Sequence, residues 1–286
     1  MENYNNSQEH WDLVIEGKSS LFDLKLNDVW TYRDLLMMFV KRDFISSFKQ
    51  TILGPLWFFI QPLLTTLTFT FVFGNLAGIS SDGLPKPLFY MAGITAWNYF
   101  SDCLNKTSSV FSANAGIFGK VYFPRLIMPL SIVVSNLMRF GVQMIMFVSL
   151  IIYYKLNGVL IEINSTLFLF PVLVILMALL GLGLGMIITS LTTKYKDLQF
   201  LLQFGITLLM YATTVIYPLS AAPLKYKKWI ELNPMTGIIE AFRYSFLGRG
   251  EFSNWSIGYS GIVTVVILFF GIIIFNRTER SFIDTI

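Results

Sequence analysis

Six apolar runs dominate this chain, at about Ile52 to Phe73, Leu88 to Val110, Leu126 to Tyr154, Leu167 to Leu191, Leu198 to Tyr217 and Ile257 to Phe275. Each is near the ~20 residues a helix needs to cross a bilayer. The third is longer and must tilt or protrude. Ahead of them, Met1 to Asn27 is polar and mixed in charge, unlike a signal peptide or an anchor. Asn27 can cap a helix from Asp28 to about Phe48, on which Val29, Tyr32, Leu36, Phe39 and Val40 share one arc and Asp34, Lys41 and Arg42 lie opposite. Asp43, Met38 and Ile45 break that pattern. It predicts a helix lying in the membrane interface; a helix packed on a soluble partner would share it.

The pattern therefore predicts an all-α integral membrane protein: a tail over 1–27, an amphipathic interface helix over 28–48, a six-span domain over 52–275 and a second tail over 276–286. Between spans five and six, Met235 to Leu247 is apolar but too short to cross, and Tyr217-Pro218, Pro223 and Asn233-Pro234 interrupt the chain around it. This predicts two re-entrant or interfacial half-helices, which a bilayer tolerates where they are buried in protein or line an aqueous path.

Charge sets the orientation. Lys41, Arg42 and Lys49 precede span one, Lys106, Lys120 and Arg125 flank the second loop, Lys194 and Lys196 the fourth, and Arg277 and Arg280 follow span six. These belong in the cytoplasm, so both termini do too. The first and third loops carry only Lys86 and Lys155, whereas the fifth holds Lys225, Lys227, Lys228, Arg243 and Arg249 and fits the outer side only if it folds back to the headgroups. The chain is 55% hydrophobic and 13% charged with a mean hydropathy of +0.63, far from the roughly 25% charge of soluble domains. One cysteine, Cys103, excludes an internal disulfide and a multi-thiolate metal site within one chain, and with the one histidine, His10, in a polar tail it speaks against redox or zinc chemistry; the +4 net charge suits anionic lipid better than nucleic acid. Gly17-Lys18-Ser19 resembles the end of a phosphate-binding loop, but Asp12 stands where that loop needs its first glycine.

Several residues carry candidate roles. The stretch Asn114 to Pro129 reads as a short helix loosened by Gly116 and Gly119, edged by Phe118, Val121, Tyr122 and Phe123, and broken at Pro124; it is a lever between two spans or a turn with an aromatic anchor. On span one Phe58, Thr65, Phe69 and Phe73 fall within one arc beside Gln61, a pattern that packing or lipid contact would produce. Gly181, Gly183 and Gly185 read as a close helix contact. Arg139, halfway along span three, needs protein, water or a lipid phosphate beside it; Asp102 can pair with it as an internal ion pair. Glu240 and Arg243, at i and i+3, can pair with each other.

Several segments resemble one family: Gln50-Thr51-Ile52-Leu53-Gly54-Pro55-Leu56-Trp57, Gln61-Pro62, Lys120-Val121-Tyr122-Phe123-Pro124-Arg125, Lys194-Tyr195-Lys196-Asp197-Leu198, Leu232-Asn233-Pro234-Met235-Thr236 and Arg277-Thr278-Glu279-Arg280. In this order they look like the permease subunits of ABC-2 polysaccharide exporters, which export O-antigen, capsule or teichoic acid chains. Ser46, Ser47 and Phe48 depart from it, standing where that family usually has basic residues and a tyrosine. The resemblance implies a homodimer in the cytoplasmic (inner) membrane, bound to two copies of a separate ABC ATPase that holds the ATP and magnesium, with a lipid-linked glycan as substrate and no cofactor on this chain. It implies that Asn114 to Tyr122 is the coupling helix seated in the ATPase, with Phe123, Pro124 and Arg125 following it in the same contact, and that Tyr195 and Asp197 make a second contact; a positive turn with a capping Asp is the plainer reading of those two. With a glycan as cargo, the face of Phe58, Gln61, Thr65, Phe69 and Phe73 would be a weakly gripping channel wall, and Arg139 with Asp102 would either hold a lipid-linked diphosphate or form an internal ion pair. The fifth loop, with Tyr217, Pro218, Asn233, Pro234, Glu240 and Arg243, is then an outer gate. A drug or lipid exporter of the same architecture is the nearer alternative. A membrane-embedded glycosyltransferase is the more distant one, because the spans hold almost no carboxylates and no histidine.

Overall fold

The computed structural model describes residues 26–118, 123–195 and 197–283, all of them in helices or connecting turns, with no strand among the described residues. The predicted interface helix is two pieces, α1 (Leu26–Thr31) and α2 (Arg33–Ser46), broken at Tyr32, whose φ of -92° and ψ of 21° are not helical. Its apolar arc is the buried one. Phe39 and Val40 are enclosed, with Val29, Tyr32 and Leu36 packed beside them, while Trp30 and Met38 are exposed.

Span one begins as a 3-10 turn, Gly54–Leu56, continues as α3 (Trp57–Phe69) and ends in a π-helix, Thr70–Leu76. A π turn leaves its final carbonyls poorly paired. Lys86 answers this by donating from Nζ to Gly74 O at 2.8 Å and Asn75 Oδ1 at 3.0 Å. There follow α4 (Lys86–Ser108), α5 (Val110–Phe118), α6 (Ile127–Leu156), a 3-10 turn at Ser165–Leu169, α7 (Phe170–Thr192) and α8 (Leu198–Tyr211). After a 3-10 turn at Leu219–Ala221 come α9 (Leu224–Glu231), α10 (Pro234–Leu247) and α11 (Asn254–Ile283). At ~1.5 Å per residue the 30 residues of α6 reach about 45 Å, well past the ~30 Å core.

Among the described residues four helical segments are long and apolar enough to cross a membrane: Gly54–Leu76, Ile127–Leu156, Ser165–Thr192 and Asn254–Thr278. The other two predicted spans differ for separate reasons. Helix α4 has the length, 23 residues, but its surface is protein-facing: every residue from Leu88 to Trp97 is buried, so it can carry Asp102 and Lys106 and need not be as apolar as a lipid-facing helix. Helix α8 stops at Tyr211 after 14 residues, about 21 Å, and the chain over 212–218 is irregular. The predicted second tail is helical as far as Ile283, a continuation of α11.

Helix α7 is the centre of the bundle, packed between α4 and α11. Its glycines divide the work: a Cβ on Gly181 would lie 2.8 Å from Phe100 O and one on Gly185 would lie 2.5 Å from Thr107 Cβ, both on α4. On the opposite side Gly183 meets α11, where a Cβ would come 2.9 Å from Leu268 Cα. Backbones this close gain dispersion contact that lipid cannot offer, which is the reason small residues recur at such crossings. The main core joins α4, α6, α7 and α10, and a second core, around Phe111, Phe118, Phe123 and Phe275, ties α2, α5, α6 and α11 together.

Candidate functional site

The stretch after α4 is a kinked helix. Helix α5 starts at Val110, earlier than the sequence suggests, and Asn114 inside it has non-helical angles (φ -118°, ψ 15°). Both halves of its amide are used: Nδ2 donates to Val110 O at 3.0 Å and Oδ1 accepts from Arg42 Nη2 at 3.2 Å. Helix α2 is thereby fastened to the kink. Lys120, Val121 and Tyr122 lie outside the described residues. Phe118 and Phe123, read as part of the apolar edge of this stretch, are buried and stacked on each other at 5.7 Å between centroids. Phe123 also meets Phe39 of α2 at 5.6 Å, and Phe118 meets Phe111, which stacks on Phe275 of α11 at 4.7 Å. These rings hold the stretch to the chain's own second core. Pro124 and Arg125 are half-buried behind them, the Arg125 guanidinium carbon 5.3 Å from the Phe118 ring centre.

The α7–α8 turn lies at the same end, since Thr192 Oγ1 donates to Ser108 O at 2.6 Å. Tyr195 and Asp197 are both exposed there, with the Lys194 ammonium 5.4 Å from the Tyr195 ring centre. One end of the bundle thus gathers α2, the kink and this turn.

Arg139 and Asp102 meet, Nη1 donating to Oδ2 at 3.1 Å. The Arg139 guanidinium also lies 5.0 Å over the Phe58 ring, a favourable seat for a cation near the membrane interior. The first-span arc is consequently an inward face in this chain. Phe58 packs on Phe44 of α2 at 5.7 Å and Phe69 on Phe73 and Tyr90 at 5.1 and 6.2 Å; Phe58 and Phe69 are buried, Thr65 and Phe73 half-buried, and Gln61 alone of the arc is exposed. The free face of α3 is Trp57, Leu63, Leu64 and Leu67. A wheel drawn on one helix finds the arc but not its neighbour.

At the other end the irregular 212–218 segment is enclosed: Thr213, Thr214, Val215 and Ile216 are buried, Pro218 is buried and Tyr217 half-buried. Arg243, itself 1% exposed, explains how. It donates from Nη2 to Val215 O at 2.9 Å and from Nη1 to Glu240 Oε1 at 3.3 Å, with its guanidinium 3.8 Å over the Phe89 ring. Glu240 Oε2 accepts from the Glu251 amide at 3.1 Å. One i,i+3 pair thereby binds the unwound segment, α4 and the exit from α10. Asn233 caps α10 by accepting from the Met235 amide at 3.0 Å, Pro234 occupies the first turn, and Gly248 ends the helix in the left-handed region at φ 69°.

Sequence reasoning missed the polar partners on neighbouring helices: Arg42 for Asn114, Asn136 for Lys106 (2.7 Å), and the Val215 carbonyl for Arg243. One signal was present, since Asp102 and Lys106 are spaced i,i+4 and share a face of α4.

Residues 34–247 match the model of the ABC-2 type transporter family, membrane domain. The chain is 26% identical to an O-antigen export system permease protein, RfbA, of Klebsiella pneumoniae over 251 residues, 88% of this chain and 94% of that one. It is 26% identical to RfbA of Myxococcus xanthus over 264 residues, 91% and 98% of the two chains. It is 23% identical to the polysialic acid transport protein KpsM of Escherichia coli over 248 residues, 85% and 93%. The family match runs from α2 to the end of α10, so the kink, the buried pair and the central α7 all lie within it: this chain belongs to the ABC-2 type transporter family.

Proposed function

We propose that this protein is the permease subunit of an ABC exporter that carries a lipid-linked polysaccharide across the cytoplasmic membrane, driven by ATP hydrolysis on a separate ATPase. The observation that supports it is the alignment over nearly its full length with permeases whose names state O-antigen or polysialic acid transport. In this reading α4 and α8 join the four apolar helices as spans, α8 completed by the enclosed 212–218 segment, and α9 and α10 are the outer half-helices. Both termini, the kinked α5 and the α7–α8 turn face the cytoplasm. Two permeases and two ATPases make the transporter, the ATPases closing on ATP and magnesium and pushing on the stretch from Asn114 to Arg125 and on Tyr195 and Asp197. The buried rings Phe118 and Phe123 then carry force, passing displacement of that stretch to α2 and α11, because packed aromatic clusters shift as units. Deleting the gene in its host should abolish surface polysaccharide while lipid-linked polymer accumulates inside, with recovery on complementation. Unchanged surface polysaccharide in the deletion strain would sink the export reading.

A further inference from the structure

A half-open cavity of about 600 Å³ lies between α2, the end of α4, α5 and α6. That size is typical of ligand sites, ~300–1,000 Å³. Three cations line it, Arg42, Lys106 and Arg139, against one carboxylate, Asp43. Arg42 pairs with Asp43 at 2.7 Å, and Asp102 holds Arg139 from outside the cavity at 3.1 Å. Lys106 is different: Nζ donates at 2.7 Å to the neutral Asn136 Oδ1, and among the described residues no carboxylate is in ion-pair contact with it. Asp43 and Asp102 act on it from farther away and each is already paired with an arginine, so this half-buried ammonium, hydrogen-bonded only to an amide, can take a further anion. The serine hydroxyls in the wall do not supply the main grip, since Ser46, Ser47 and Ser109 already donate to backbone carbonyls and Ser135 adds one further hydroxyl. The cations are left to do it, and the flank of Ala113, Ile117 and Ile132 is apolar.

We infer that this cavity is a binding site for the phosphoryl anion of a lipid, a phosphate ester or diphosphate held by Lys106, Arg42 and Arg139 with its hydrocarbon leaving along the apolar flank. Arginine and lysine together suit this chemistry, the fork fixing two oxygens and the ammonium neutralising charge. Arg42 is also the donor to Asn114 at the kink. An anion that draws Arg42 toward Lys106 competes with that bond, so occupancy of the cavity alters the hold on α5. Headgroup arrival and the mechanical stretch are thus linked through one guanidinium. The inference rests on the export reading only for the source of the anion, the diphosphate of a lipid-linked glycan as against an ordinary phospholipid headgroup.

The test titrates the full-length permease, purified in detergent, with farnesyl diphosphate, inorganic pyrophosphate and phosphatidylglycerol, with binding read by native mass spectrometry. Farnesyl diphosphate should bind more tightly than pyrophosphate, and Lys106→Met and Arg42→Gln should each weaken it about tenfold or more, the loss expected of one charge-assisted hydrogen bond. Arg42 is 38% exposed at its side chain, so Arg42→Gln keeps the test valid if Lys106→Met fails to insert. Lys228→Gln, at the opposite end, should leave binding unchanged. Phosphatidylglycerol that binds through the same residues and is not displaced by farnesyl diphosphate would overturn the cargo source and assign the cavity to a membrane phospholipid. Binding of all three unaffected by either cavity variant would overturn the site. Variant-sensitive diphosphate binding in a chain whose deletion spares surface polysaccharide would uphold the site and sink the export reading alone.

Discussion

Replacing Arg243 with methionine strands two acceptors at once. The Glu240 carboxylate, 1% exposed, loses its cation at 3.3 Å, and the Val215 carbonyl in the unwound 212–218 segment loses its donor at 2.9 Å. Removing one partner of a buried ion pair costs about 3–5 kcal/mol, and a stranded carbonyl about 1–3 kcal/mol. The two costs overlap because one side chain serves both, so a loss of about 4 kcal/mol is expected, a large share of the ~5–15 kcal/mol that holds a typical domain folded. Most of it should be recoverable. In Glu240→Gln with Arg243→Met the isolated charge is gone, and the Gln carbonyl can still accept from the Glu251 amide that now meets Glu240 at 3.1 Å. Thermal unfolding of the purified permease in mild detergent, followed by tryptophan fluorescence, should rank wild type above the double variant and the double variant clearly above Arg243→Met. A double variant no more stable than the single one would refute the reasoning, because it would show that the carbonyl and the Phe89 ring, rather than the ion pair, carry the role of Arg243.

Two other outcomes are expected. Phe123→Ala removes a ring that touches both Phe39 and Phe118 and should cost about 3–5 kcal/mol; in the assembled transporter it should also uncouple ATP hydrolysis from export, and full export at normal hydrolysis would show that force does not pass through these rings. Cysteines introduced as Lys228→Cys and Arg249→Cys, at exposed positions and in a Cys103→Ala background, should react with an impermeant thiol reagent added outside; labelling that requires permeabilised membranes would reverse the topology.

How much of this was legible in the sequence depends on whether a residue's role lies on its own helix. Hydrophobic runs located the long apolar spans, because lipid imposes length and apolarity on each helix separately. The break at Asn233-Pro234 before α10, the spacing of Gly181, Gly183 and Gly185 and the Glu240–Arg243 pair are local too, set by the proline and by 3.6-residue periodicity. Tertiary structure decided what each face meets. The wheel on span one gives Phe58 and Phe69 as an arc, and only the positions of α2, α4 and α6 turn that arc inward. Helix α4 can be polar because neighbours, and not lipid, surround Leu88 to Trp97. Asn114 becomes a kink held by Arg42 from 72 positions away, and three cations from separate helices become one cavity. Periodicity reports which side chains share a face; the partner across that face comes from packing, which no single stretch of sequence contains.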